Sequence, residues 1–230
     1  MGVGPPVTTR VSRRSAGRTR LRFDGWIAGI GTSSGTRAVV GYWPRAPFGP
    51  FADVMLERPD GHRVLLAPTP LIATFVAGTY AFDEVRVVPV RVDVAEQDWA
   101  VEASTLTLRF TTGRRGLPGF LLRAVPAPLA ARPGWISCMA VLARALPGVR
   151  ICGSAGAGRY EWYGAKDLHP VVAAHARYEG EDLGLLAPVE PPVRFGFGST
   201  PRRPCVVRVT TTVALKRQND TLRGAASAER

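Results

Sequence analysis

The residues best suited to chemistry follow one another closely between positions 159 and 169 of this 230-residue chain. Positions 159–163 are Arg-Tyr-Glu-Trp-Tyr, a composition that predicts a strand. Side chains alternate along a strand, so Arg159, Glu161 and Tyr163 share one face. On a solvent-exposed face, an ion pair and a phenol would be ordinary. On a face that points into the protein, the pair must be desolvated and hydrogen-bonded, which is typical of a ligand site.

A catalytic hypothesis combines this strand with the lysine that follows it. Lys166 would act as a nucleophile or charge partner, Arg159 would bind a substrate carboxylate, and Glu161 would transfer protons. Further polar residues nearby are candidates for contact with a ligand: Tyr163, Asp167, His169 and His175.

The two histidines suggest acid–base chemistry more than metal binding. Asp167 could orient either of them as a general base. If residues 169–175 are extended, His169 and His175 share a face but lie roughly 20 Å apart, too far to share one metal ion. Only a turn at Pro170 would bring them together. The sequence predicts no metal site and no cofactor. Because the spacing is not diagnostic of catalysis, a structural or surface role for both histidines is favoured over the chemical one.

Residues 158–166, Gly-Arg-Tyr-Glu-Trp-Tyr-Gly-Ala-Lys, resemble the Gly-Arg, Trp-Gly and Pro-Lys stretch of the acetoacetate decarboxylase family. Ala165 stands where that family has a proline, Tyr163 is inserted between Trp and Gly, and Asp167 stands where the family has another lysine. The resemblance implies a β-barrel with an interior cavity. At most it implies a decarboxylase-like enzyme, in which Lys166 would form the Schiff base.

The elements that must position these residues are mostly strands. Alternation with a period of two predicts strands at 105–111 and 206–213. Residues 53–57 and 62–66 flank Arg-Pro-Asp-Gly, which predicts a hairpin, and the β-branched run 85–94 is interrupted at Pro89. The glycine-rich segment 153–158 predicts a hairpin or bulge, because a strand-like segment follows it where a nucleotide-binding loop would open a helix.

Helix signals are fewer and begin at Pro70 and at Pro133. Helices between successive strands, which a parallel α/β fold needs, are missing. The predicted fold class is therefore mainly β (α+β), a single antiparallel β-barrel or strongly curved sheet with two or three packed helices.

Charge and composition bound the remaining possibilities. The chain carries a formal net charge of +12, and residues 1–20 hold five arginines and no acid. We expect a disordered basic tail at 1–20, one globular domain at 21–215 and a second tail at 216–230. The three cysteines form no close pair, and no export signal is evident. The uncharged stretch 64–82 is broken by two prolines and is too short to span a bilayer, so a cytoplasmic protein is expected.

These observations favour a β-barrel-like protein that binds, and in its enzymatic version transforms, a small organic acid or acyl ligand in an interior pocket. In the alternative, a non-enzymatic protein uses its arginine-rich tails to contact nucleic acid or an anionic surface. Nucleic acid is the less expected partner, because charge alone supplies only non-specific affinity. A homo-oligomer formed through an apolar β face is a further alternative.

Overall fold

A computed structural model describes residues 19–143, 151–196 and 200–215. Within these ranges the chain forms twelve strands and four short α-helices. The strands are β1 (Thr19–Thr32), β2 (Arg37–Arg45), β3 (Phe51–Glu57), β4 (Arg63–Ala67), β5 (Glu84–Val87), β6 (Val90–Ala95), β7 (Asp98–Ala103), β8 (Leu106–Thr112), β9 (Cys152–Ala155), β10 (Arg159–Tyr178), β11 (Glu181–Ala187) and β12 (Cys205–Leu215). The helices are α1 (Pro70–Ala77), α2 (Leu117–Ala124), α3 (Ala127–Ala130) and α4 (Pro133–Ala143).

Both predicted tails lie outside this description, apart from the two residues that begin β1. The disorder and the contacts expected of the tails therefore stay predictions. Among the described residues, no helix has the length and apolar character needed to cross a lipid bilayer.

All twelve strands belong to one sheet, in which β5, β4, β3, β2 and β1 lie side by side in that order. Next to β1 come β12 and β11, which occupy successive stretches between β1 and β10. Beyond β10 the sheet continues through β8 and β7 to β6, and β9 pairs with the start of β10. Apart from the parallel β4–β5 pair, the pairings among the described strands are antiparallel.

The sheet is strongly curved but is not a closed barrel. Residues from its two halves pack into one core on the concave face, where the most deeply buried side chains include Ile30, Leu56, Leu106 and Leu108. The Trp26 and Trp99 rings meet across this core with centroids 6.3 Å apart. The expected mainly β fold with a curved sheet is confirmed.

The convex face is covered by α1 and by the segment 189–195. Ile72, Ala73 and Val76 of α1 pack on β4 through Leu65 and Ala67. The helix begins at Pro70 because Thr69 caps it, the Thr69 hydroxyl accepting from the Ile72 amide at 3.3 Å. The sheet therefore carries buried apolar side chains on both faces.

Several local predictions are confirmed. The Arg58–Gly61 turn joins β3 to β4, with Gly61 at a φ of +87°, and the run 85–94 divides into β5 and β6 around Pro89. The glycine-rich segment forms β9 and a short 3₁₀ turn that leads back into β10 as a hairpin.

The helix count is higher than the two or three expected. α1 and α4 begin at the two predicted prolines, whereas α2 and α3 were not predicted. Each has a proline in its first turn, as α1 and α4 do, but the two helices are only eight and four residues long, too short for a helical period to stand out in the sequence.

Candidate ligand site

All seven residues singled out from the sequence lie on β10, but two bulges distribute them between both faces of the sheet. Against β12 the register shifts between Ala165 and Asp167, and against β8 it shifts between Val171 and Ala173. A bulge places one extra residue on one strand, which reverses the face occupied by every later residue. Arg159, Glu161 and Tyr163 therefore lie on the convex face, whereas Asp167 and His169 lie on the concave one.

A cavity of about 580 Å³ opens on the concave side, and both Asp167 and His169 line it. Its wall also includes three aromatic side chains and two arginines, namely Trp26, Tyr42, Trp99, Arg114 and Arg208. These residues come from β1, β2, β7, β12 and the β8–α2 loop, which the curvature of the sheet brings together.

The aromatic wall is rigid because its rings contact one another. Trp26 stacks on Tyr42 with ring centroids 5.8 Å apart, and Trp99 meets Tyr42 edge-on at 6.0 Å. The Arg208 guanidinium lies 5.7 Å from the centroid of the Trp26 ring. The cavity thus combines a flat apolar surface with a positive charge.

Asp167 is held by Arg115, whose Nε and Nη2 each donate to one carboxylate oxygen at 2.7 Å. These hydrogen bonds lower the pKa of Asp167, so its carboxylate is ionised at neutral pH. His169 Nδ1 lies 3.2 Å from the Gly113 carbonyl oxygen, to which only a protonated nitrogen can donate. In the neutral ring Nε2 is then an acceptor, and its donor is Arg115 Nη2 at 3.4 Å; Asp167 Oδ2 lies 3.6 Å from the same nitrogen.

Lys166 occupies the bulge itself and pairs with Asp24 of β1. Its Nζ lies 2.9 Å from Asp24 Oδ1, and the Thr210 hydroxyl donates to the same oxygen. Burial opposes ionisation of Asp24, but the hydrogen bonds from Thr210, Lys166 and Arg22 outweigh it and lower its pKa to about 2. The ammonium group of Lys166 therefore faces a permanent carboxylate.

On the convex face, Glu161 is enclosed by two tyrosines. The Tyr80 and Tyr163 hydroxyls donate to Glu161 Oε2 at 2.8 and 2.9 Å, and the two hydroxyls also contact each other. Glu161 is only 2% exposed, and this burial raises its pKa despite the two hydrogen bonds. The face that sequence reasoning left open is thus an interior one.

Arg159 and Asp53 complete this convex cluster. Arg159 donates to the Phe75 carbonyl oxygen and the Thr79 hydroxyl, and its guanidinium lies 4.7 Å from the Phe75 ring centroid. Asp53 is 2% exposed and accepts from Trp43 Nε1 at 3.0 Å. Burial raises the pKa of Asp53 to about 7. The cluster joins α1 and the residues after it to the sheet through hydrogen bonds within the protein.

His175 lies apart from both groups. Its side chain is 64% exposed, with Nε2 3.5 Å from Asp182 Oδ2. β10 continues through Pro170 without a turn, and the bulge at Val171 puts His175 on the opposite face from His169. The expectation that the two histidines share a face is therefore wrong. Among the described residues, no three His, Cys, Asp or Glu side chains are grouped so as to hold a metal ion.

Sequence reasoning missed the residues that other strands contribute, namely Asp24, Trp26, Tyr42, Asp53, Trp99 and Arg208. Two of them leave a signal in the sequence, since Asp53 and Arg208 each interrupt an apolar or β-branched run. Such a charge within a strand indicates either a solvated face or a buried site, and only its neighbours distinguish the two.

The chain is similar to two solved acetoacetate decarboxylase structures, the family that residues 158–166 resemble. One, from Legionella pneumophila subsp. pneumophila str. Philadelphia 1, has a TM-score of 0.40 and 8% identity, with 86% of each chain covered. The other, from structural studies of acetoacetate decarboxylase, has a TM-score of 0.45 and 8% identity, with 91% of this chain and 92% of that chain covered. No protein-family model and no curated protein matches the sequence. The likeness concerns architecture alone.

Proposed function

We propose that the protein binds a small organic acid, a carboxylate on an aromatic or short aliphatic body, in the concave cavity. One observation carries this proposal: the Arg208 guanidinium lies over the Trp26 ring in the wall of the cavity. A ligand placed there could contact the aromatic surface with its body and the guanidinium with its carboxylate.

The arginines in and behind the cavity wall outnumber its carboxylates, because Arg114, Arg208 and Arg115 stand against Asp167 and Glu96, and this balance favours an anion. Arg115 neutralises Asp167 through both carboxylate oxygens, so Asp167 repels a bound anion only weakly. Arg114 and Arg208 also line the cavity, and neither forms an ion pair with a carboxylate among the described residues. Two cations of the cavity wall are thus available to a ligand.

His169 belongs to the same wall as Asp167. Its Nε2 lies 3.4 Å from Arg115 Nη2 and 3.6 Å from Asp167 Oδ2, so Arg115 contacts both side chains. Within this proposal the two residues shape the anion site, and no proton transfer is assigned to them.

In this function Lys166 does not form a Schiff base. An amine attacks a carbonyl carbon with its nitrogen lone pair, whereas Nζ of Lys166 donates to Asp24 as an ammonium group. Arg159 and Glu161 lie on the convex face of the sheet, so they do not contact a ligand in the concave cavity.

Tryptophan fluorescence tests the proposal directly, because Trp26 and Trp99 line the cavity. Titration with phenylacetate should change the emission saturably, and the neutral amide phenylacetamide should bind at least about tenfold more weakly because it lacks the charge. Trp26→Phe should remove most of the signal, while Trp162→Phe, outside the cavity, should retain it. Equal affinity for acid and amide, or no saturable change, would refute the proposal.

A further inference from the structure

Helix α2 presents an apolar face to solvent at the edge of the cavity. Leu117, Phe120 and Leu121 are 71%, 57% and 63% exposed, and their spacing places them on one side of the helix. The opposite side is packed against β10, since a β-carbon at Gly119 would lie only 2.3 Å from the Leu168 carbonyl oxygen. The exposed side chains therefore cannot turn inward.

The surroundings of this face are strongly basic. The sequence from 103 to 160 contains no Asp or Glu but eight arginines. Arg114, Arg123 and Arg132 are exposed around α2 and α3. Asp167 lies 3.8 Å from Arg123 Nη1, but Arg115 binds the same carboxylate through two hydrogen bonds, so two arginines share this one negative charge. Arg114 and Arg132 form no ion pair with a carboxylate among the described residues. An apolar face next to an excess of arginines is the composition of helices that lie in the surface of an anionic bilayer.

We propose that this face, defined by Leu117, Phe120, Leu121 and the neighbouring Arg114 and Arg123, docks on the surface of an anionic lipid bilayer. The three apolar side chains enter the boundary between headgroups and acyl chains, and the arginines contact lipid phosphates. Because Arg114 also lines the cavity, docking brings the cavity close to the bilayer surface. The docking itself does not depend on which ligand the cavity takes.

Two other occupants fit the face less well. A second copy would meet it through a two-fold contact, which brings Arg114 and Arg123 of both copies into one interface, where Asp167 is already shared between Arg115 and Arg123. A nucleic acid would neutralise the arginines, but its phosphates would lie against Leu117 and Leu121. Charged phosphates do not stabilise apolar side chains, so the apolar part of the face would stay unexplained.

Co-sedimentation of the full chain with lipid vesicles tests the proposal. The protein should pellet with vesicles of equal parts phosphatidylglycerol and phosphatidylcholine, and only weakly with phosphatidylcholine alone. Phe120→Ser and Leu121→Ser should each lower the apparent affinity by about fivefold or more, because each removes inserted apolar surface. Leu185→Ser is the matched control, since Leu185 is 78% exposed on β11, and should bind like the parent chain.

Circular dichroism and thermal unfolding of each variant show whether the fold is kept. Unchanged vesicle binding by Phe120→Ser and Leu121→Ser would overturn the proposal and point to the basic tails. A concentration-dependent dimer that both variants abolish would overturn it in favour of a second copy. The proposal would be overturned in favour of nucleic acid if duplex DNA released the protein from the vesicles and neither variant changed its binding to them.

Discussion

Asp167 Oδ2 lies 3.6 Å from His169 Nε2, directly after a bulge in β10. The bulge turns both side chains into the concave cavity, and Arg115 holds the carboxylate from the side. Asp167 and His169 thus line the cavity while Arg115 lies behind the carboxylate, and the charges of these groups determine how strongly the cavity binds an anion.

Replacing the carboxylate should strengthen the binding of an anionic ligand. In Asp167→Asn the Arg115 guanidinium loses its counter-charge, so we expect the affinity for phenylacetate to rise about threefold or more. Stability should fall by about 1–3 kcal/mol, because a charge-assisted bidentate contact is lost. Fluorescence titration and urea unfolding measure the two effects. Weaker binding by a folded variant would contradict this account of the cavity.

Removal of the cavity cation should act in the other direction. We expect Arg208→Gln to weaken phenylacetate binding by about tenfold, since a charge-assisted contact is lost. Arg109→Gln removes the same charge from the exposed side of β8 and is the matched control. If both variants bind equally well, Arg208 does not contact the ligand.

Asp53 should make stability depend on pH. Its pKa is about 7 in the folded protein, against an ordinary value of 3.8. Between these values the folded state keeps the proton that the unfolded chain releases. The contribution of Asp53 to the free energy of unfolding is therefore complete below about pH 4. It decreases by about 4 kcal/mol in all as the pH rises to about 7.

Asp53→Asn should remove this dependence while the amide oxygen still accepts from Trp43. The test compares the free energy of unfolding of the two proteins from acid to neutral pH, because their difference cancels the contribution of Glu161. Parallel curves would show that Asp53 ionises in the folded protein as it does in the unfolded chain.

Tyr80 and Tyr163 should stabilise the fold cooperatively, because both donate to the same oxygen of Glu161. Each Tyr→Phe change should cost about 1–2 kcal/mol, and the double variant should cost less than the sum by roughly 1 kcal/mol. Urea unfolding of the four proteins of this cycle gives the coupling. Strict additivity would mean that the two hydroxyls act independently.

Lys166 should resist trapping as a Schiff base. After incubation with a β-keto acid and borohydride, we expect peptide mapping to find Lys166 unmodified, because its ammonium group is paired with Asp24. A reduced adduct on Lys166 would instead restore the nucleophilic role that the family resemblance implies.

The sequence by itself determined the local elements. Alternation at 105–111 and 206–213, the Pro-Asp-Gly turn and the prolines at 70 and 133 each depend on residues a few positions apart, so their patterns predict β8, β12, the β3–β4 hairpin and the starts of α1 and α4. The same alternation places Arg159, Glu161 and Tyr163 on one face, as observed.

Only the tertiary structure decided on which face of the sheet each polar residue of β10 lies. The bulges of β10 depend on its register with β12 and β8, and that register is set by strands outside the local pattern. Tyr80 lies 81 residues from Glu161, and Asp24 lies 142 residues from Lys166. No local periodicity records such partners, because curvature and long-range pairing bring them together. The polar run 159–169 therefore appears as one cluster in the sequence but forms two sites, on opposite faces of one sheet.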